Sequence, residues 1–412
     1  MTDDTRSATD PEPAPEPVLT PGYRVPAQVP PAPEPAPAPA DRLWIHAAWE
    51  LALLVLLAGG IGLWWLLGRD TNLLSDPALL RDRLFAVAPL LLLATALAAS
   101  IRVRAVNLAA GAVAALAALL FVSWEDESQL LAAALVVAVA LAVTVALSVL
   151  VTVLKVPGWA ASLGAAVAVL ATATTVAEDG EFAIGPSAGG VLTTLPESTT
   201  VTVATELAWA VIGTVMAVSV LGGLIAVVPS VRRRLQACRE AAAGPGSRDL
   251  PLAVTTGTGL LVSNLLAAGA GVLLVIPSEQ VAGGAEVPAS GLEAMGLALA
   301  LAIVLLGGTS VWGRRGGVFG TLLAGLAVFA GFAAFTDLGW AAQGHWLLTG
   351  AFALGLLVNW LVEVLGSRPP APAEPPLESI TALADPEPPA ATEEEPPPAS
   401  VTPETEEATS SR

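Results

Sequence analysis

Lysine, cysteine and histidine are almost missing from this 412-residue chain, and each gap removes a class of activity. Lys155 is the single lysine and stands in TVLKVPG, which is not a phosphate-binding loop, so the chain cannot supply the lysine of a Walker-type ATPase. Cys238 is the single cysteine, which excludes an intrachain disulfide and a thiolate metal cluster. His46 and His345 lie near opposite ends of the hydrophobic region, an arrangement that argues against a catalytic triad or a His-rich metal site. No catalytic residue, metal or cofactor is expected. Charge is scarce as well: 13% of residues are Asp, Glu, Lys or Arg, against roughly 25% in a soluble domain.

What fills the chain instead is apolar. Hydrophobic residues make up 54% of it and the mean hydropathy is +0.71, the values of an integral membrane protein. The formal charge of -18 is not one surface, because 17 of the 36 acidic residues lie in residues 1–41 and 374–407. Both ends are dominated by Pro, Ala and Glu, as in PEPAPEP and PPAPEPAPAPA. Such composition favours polyproline II and cannot bury a core, so residues 1–41 and 367–412 are expected to be disordered tails flanking a transmembrane domain at 42–366. The amino-terminal stretch lacks the basic n-region of a signal peptide and reads as a retained tail. Acidic tails argue against nucleic acid as a partner.

Ten hydrophobic segments are predicted, near 43–67, 84–100, 105–123, 130–154, 158–177, 204–228, 250–276, 292–308, 316–335 and 343–365. Each is about long enough, or slightly short, for a ~30 Å hydrocarbon core. The fold class is therefore an all-α polytopic membrane protein of about ten transmembrane helices. With the amino terminus in the cytoplasm, Arg102, Arg104, Lys155, Arg232, Arg233, Arg234, Arg239, Arg248, Arg314, Arg315 and Arg368 fall inside. Arg69, Arg81 and Arg83 alone fall outside, beside the acidic loops WEDESQ and AEDGE. That bias places both termini on the cytoplasmic side of a plasma membrane. The 69–83 loop is the exception, and its Asp70, Asp76 and Asp82 are candidates to compensate its arginines.

The most distinctive stretch is Leu305 to Gly325, LLGGTSVWGRRGGVFGTLLAG. Glycines let two apolar segments approach closely, and Arg314 with Arg315 marks the turn between them as solvent-facing. This stretch resembles a signature of the permease subunits of ABC importers in the ribose, xylose and galactoside class, relatives of the branched-chain amino-acid permeases. In that family a Leu-Gly-Gly-Thr-Ser segment precedes Gly-rich residues and a Gly-Thr-Leu helix start. Gly307, Gly308, Thr309, Ser310, Gly313, Gly317, Gly320 and Thr321 carry the resemblance here.

Further stretches resemble the same family. In SIRVRAVNLAAGAVAAL, Asn107, Leu108 and Gly111 match a short polar motif before a helix, while Ala109 and Ala110 replace its small hydroxyl residue. Asn107 either caps a helix or lines the pathway. Lys155-Val156-Pro157-Gly158-Trp159, followed by Leu163-Gly164, resembles the start of a central helix, whose outer half carries Thr172, Thr174 and Thr175. Threonines in apolar helices usually bond their own backbone, and a contact with substrate is the other reading of Thr172. In TTGTGLLVSNLLAAGAGVLLV, Ser263, Asn264, Gly269 and Gly271 match. Asn264 sits near mid-membrane, where an amide must be paired or face a cavity.

Residues 229–250 form the most basic cytoplasmic loop, with a short helix predicted over 232–243 and ended by Gly244-Pro245-Gly246. The resemblance implies that Arg232, Arg233, Arg234, Arg239 and Glu240, with Arg314 and Arg315, couple the permease to an ABC ATPase subunit. The family pattern is not fully kept in this loop, and a positive loop resting on anionic headgroups is the alternative. The resemblance further implies a second permease copy or paralogue, an extracellular solute-binding protein docking on acidic outer loops, and transport of a sugar or similar small polar solute. An ion-coupled carrier is disfavoured because Glu50, Glu206, Glu293 and Glu363 all fall near segment ends. An accessory or scaffold membrane protein remains the other class.

Overall fold

The computed structural model describes residues 43–67, 76–124, 127–178, 205–243, 250–276, 292–311, 319–340 and 344–366. The tails at 1–41 and 367–412 lie outside the described residues. Eleven α-helices follow one another: α1 Leu43–Leu67, α2 Pro77–Arg102, α3 Ala110–Trp124, α4 Gln129–Ser148, α5 Gly158–Glu178 and α6 Thr205–Val227, then α7 Pro229–Ala243, α8 Leu250–Val275, α9 Leu292–Leu306, α10 Gly320–Asp337 and α11 Gly344–Gly366. Among the described residues there is no strand.

Each expected hydrophobic segment carries a helix, but among the described residues six helices are long and apolar enough to cross a membrane: α1, α2, α4, α5, α6 and α8. The apolar helices at Ala110–Trp124, Gly296–Leu306, Gly320–Phe335 and His345–Leu361 are shorter. At 1.5 Å per residue, fifteen residues reach about 22 Å, short of a ~30 Å core. For α3 the shortfall matters little, since most of its residues are buried in protein.

Local chemistry sets the boundaries. Helix α2 begins at Pro77 rather than 84, because Asp76 accepts the Ala78 N–H at 2.9 Å and Pro77 fills a first-turn position that needs no donor. Arg81 and Asp82 then pair with each other, so the charged turn continues the helix instead of ending it. Ser128 caps α4 by accepting from Leu131 N at 3.4 Å. The far end of α4 widens into a π-helical turn over Val149–Val153, closed by Leu154 N–H on Val149 O at 3.0 Å and followed by Lys155 at φ 57°.

Helices α2 and α3 form the centre. Helix α2 is packed on by α8, α6, α9 and α10, and α3 by α8, α5 and α4, while α1 lies on α10 and α11 on α9. One large apolar cluster runs through them, including Val87, Leu91, Leu97, Val113, Leu119, Ile303 and Val304. Helix α3 comes close to α8 where Gly271 lies directly against the Ala114 carbonyl. Large apolar side chains such as Leu51, Val55, Val145, Val167 and Ile225 stand exposed on the outer helices, a surface suited to lipid rather than water. Exposed tryptophans stand near helix ends: Trp44 and Trp65 on α1, Trp124 on α3, Trp159 on α5, Trp209 on α6 and Trp346 on α11. Amphipathic indoles collect at that depth in membrane interfaces.

Candidate functional site

The site begins where α2 stops. Residues 103–109 join α2 to α3 without helical pairing, although Val103, Ala105, Asn107 and Ala109 are buried. A buried non-helical backbone must find partners for its polar groups. Here the chain turns back on itself. Arg104 takes φ 56°, its N–H donates to Ile101 O at 2.9 Å, and the Ala105 N–H donates to Ser100 O at 3.1 Å. The Ser100 hydroxyl accepts the Asn107 N–H at 3.1 Å, and Asn107 Oδ1 accepts the Ala109 N–H at 3.1 Å, capping α3. From α5, the Ser162 hydroxyl donates to Val106 O at 2.8 Å.

The other side of the Asn107 amide reaches across the bundle. Its Nδ2 donates to Ser263 Oγ at 3.0 Å and to Asn264 Oδ1 at 2.8 Å, both on α8. Asn264 Nδ2 in turn donates to Thr144 Oγ1 of α4 at 3.0 Å, and Thr144 donates to Ala140 O at 2.7 Å. Asn107, Ser263 and Asn264 are all 0% exposed. Two carboxamides and three hydroxyls, those of Ser100, Thr144 and Ser263, thus link α2, α3, α4 and α8 without a formal charge. Such a set suits neutral hydrogen-bonding groups. The capping reading of Asn107 holds, and the same amide crosses to α8 through its nitrogen.

Three of the four expected pathway residues therefore meet, and the fourth does not. Thr172 is exposed on α5 and donates to Ala168 O at 3.0 Å, while Thr174 and Thr175 likewise bond backbone carbonyls of their own helix. Thr172→Val is accordingly expected to change thermal stability by less than about 0.5 kcal/mol, read by an unfolding curve. Thr144, Ser100 and Ser162 complete the site without having been singled out in the sequence. Thr144 left a signal, as the lone hydroxyl in the apolar run from Leu130 to Leu147.

The glycine-rich stretch closes the α9 end. Gly307 and Gly320 are in backbone contact, and a Cβ on Gly307 would come within 2.8 Å of Gly320 C and Thr321 N. Gly308 takes φ 77° beneath the Trp49 ring, whose indole N–H donates to Leu306 O at 2.8 Å. Asn359 Nδ2 donates to Thr309 O at 3.2 Å, and Glu50 accepts the Phe319 N–H at 3.0 Å ahead of α10. Thr309, Ser310 and Thr321 are buried. Gly313, Arg314, Arg315 and Gly317 lie outside the described residues.

On α7, Arg233 and Arg234 are exposed and Arg232 is half-buried, whereas the side chains of Arg239 and Glu240 lie outside the described residues. The inner face of α7 is tied down. Cys238 is buried and donates weakly to Leu252 O of α8 at 3.8 Å. Leu235 packs on a small cluster that contains Val103 and Ala105 of the α2–α3 junction. The cationic helix and the Asn107 junction are thus joined through one apolar contact zone.

The described residues define an all-helical protein, with six helices among them able to cross a membrane by length and composition. Compared with protein-family models, with curated proteins and with solved structures, it matches none.

Proposed function

We propose that the chain is the membrane-spanning permease subunit of an ABC-type importer, carrying a sugar or similar small polar solute by alternating access driven by a separate ATPase. One observation carries this reading. Asn107 and the Ser263-Asn264 pair, chosen from stretches more than a hundred residues apart, converge on a single buried hydrogen-bonded cluster. A central polar cluster among packed helices is where a solute path can run, since lipid-facing surface cannot hold it. The close contact of Gly307 with Gly320 agrees with the family resemblance of that stretch.

The orientation belongs to the same proposal: ten crossings with both termini inside, α7 on the cytoplasmic side and the α2 amino end outside. The exposed Arg233 and Arg234 on a helix linked to the Asn107 junction suit α7 to pass ATPase closure into the bundle. A second reading, an accessory membrane protein, is favoured by one observation, that the Asn107 amide is already spent on helix-to-helix bonds.

Affinity purification of the tagged protein from native membranes in mild detergent separates the two. An ABC ATPase is expected to co-purify with the wild type and to be lost when Arg232, Arg233 and Arg234 are all changed to Glu. Recovery of the intact protein with no ATPase would sink the importer reading and leave the accessory one.

A further inference from the structure

At the end of α2 opposite the Asn107 junction stand Arg81, Asp82 and Arg83. Arg81 donates through Nε and Nη2 to one oxygen of Asp82, at 3.0 and 2.9 Å, and both residues are buried. Arg83 is different. Its Nε is buried and meets no acceptor, and among the described residues no carboxylate comes within ion-pair distance of it. Four-residue spacing sets Arg83 over Val87 and Leu91, both buried in the main cluster, so its helix face is the core face. The same turn is clamped from the side, where Leu84 and Phe85 pack on Ala208, Ile212, Leu273 and Ile276.

Arg83 is half-buried as a whole, with its Nε held out of water and the rest of the side chain partly exposed. An Nε held out of water without an acceptor carries a penalty that something must offset. With Asp82 engaged by Arg81, the three residues keep one positive charge. The amino end of α2 is itself met by the Asp76 carboxylate, which accepts the Ala78 N–H at 2.9 Å, so attraction for an anion rests on the donors of Arg83 itself. The guanidinium Nε and Nη edge presents two parallel donors, the geometry that meets two oxygens of a carboxylate or phosphate. Arg102 also has a buried Nε without an acceptor, but its Nη1 donates to Gly222 O, which Arg83 has no counterpart for; Arg104 stands at the α2–α3 junction, Lys155 between the π-turn and α5, and Arg232 to Arg234 on α7.

We infer that Arg83 binds an oxyanion at the outer mouth of the path, and that the solute is a polar molecule bearing a carboxylate or phosphate. The substrate class deepens the importer reading and rests on it, whereas the anion site does not.

Protein purified in phosphate-free maltoside micelles, titrated with inorganic phosphate while tryptophan fluorescence follows thermal unfolding, tests this. Near-saturating phosphate is expected to raise the midpoint by about 2–4 °C, with no rise from chloride at equal ionic strength. Arg233→Gln should keep the rise and Arg83→Gln should lose it, while melting no lower than the wild type without phosphate. Should Arg83→Gln fail to fold, Arg83→Lys keeps the charge without the paired donor edge and should need several-fold more phosphate. No rise in the wild type, or an equal rise in Arg83→Gln or Arg83→Lys, overturns the site. Phosphatidylglycerol is the second arm, and a rise with that lipid but none with phosphate assigns Arg83 to a headgroup and overturns the solute claim. Phosphate binding at Arg83 in a protein that brings down no ATPase leaves the anion site standing and the importer reading fallen.

Discussion

Gly271→Ala is expected to unfold or misassemble the bundle. An added Cβ would overlap the Ala114 carbonyl oxygen and come within 2.8 Å of Ala114 C and 2.9 Å of its Cα. Those atoms are backbone, so no rotamer change relieves the overlap. Helix α3 cannot retreat either, because α4 and α5 pack against it and most of its residues are buried. Overpacking typically costs about 1–3 kcal/mol, and a site where two main chains must part belongs at or above the upper end. The measurement is the thermal midpoint with the monodisperse fraction on size exclusion. Gly269→Ala is the control, since its new Cβ would meet only Leu92 Cδ1 at 3.8 Å. Equal behaviour of the two variants would refute the α3–α8 contact.

Asn264→Leu ranks second. It removes the acceptor of one Asn107 bond and the donor to Thr144, leaving Asn107 Nδ2 with Ser263 alone in a fully buried place. An unsatisfied buried amide costs about 1–3 kcal/mol, with interhelical bonds in membranes nearer the lower figure. The informative experiment is a double-mutant cycle with Asn107→Ala and Asn264→Ala. A coupling of about 1 kcal/mol is expected because the two share a bond. Additivity within error would show that the amides act independently. Solute uptake measured on the same variants should fall further than stability if the cluster lines the path.

Why some of this could be read in the residues and some could not has physical causes. Asn264 announced itself, because an amide in the middle of an apolar run has to be bonded. Thr144 and Thr172 are the same residue type in similar apolar surroundings and both bond a carbonyl four residues back. Only packing tells them apart: the first is buried and accepts from Asn264, the second is exposed. Hydropathy located the helices well but not their ends. The α2–α3 junction contains Val103, Ala105 and Val106 and so reads as part of the next apolar segment, although Asn107 starts α3 only at Ala110. Hydropathy likewise does not separate the six helices long and apolar enough to cross from the four shorter apolar ones. Pairing of Arg81 with Asp82 followed from the acids near that end, while the unpaired state of Arg83 depends on direction, which a sequence does not carry.

The junction between α2 and α3 has a consequence for motion. A bend without helical pairing is usually the soft point of a chain, yet here Ser100, Asn107 and Ser162 tie its backbone from three sides, and Gly158 leaves Ala105 no room to slide. The corner is stiffer than a hinge, so α2 and α3 turn together, as the two arms of a bracket. Any change of shape in the bundle has to be taken up between packed helices, by sliding of whole faces, and not by opening this elbow.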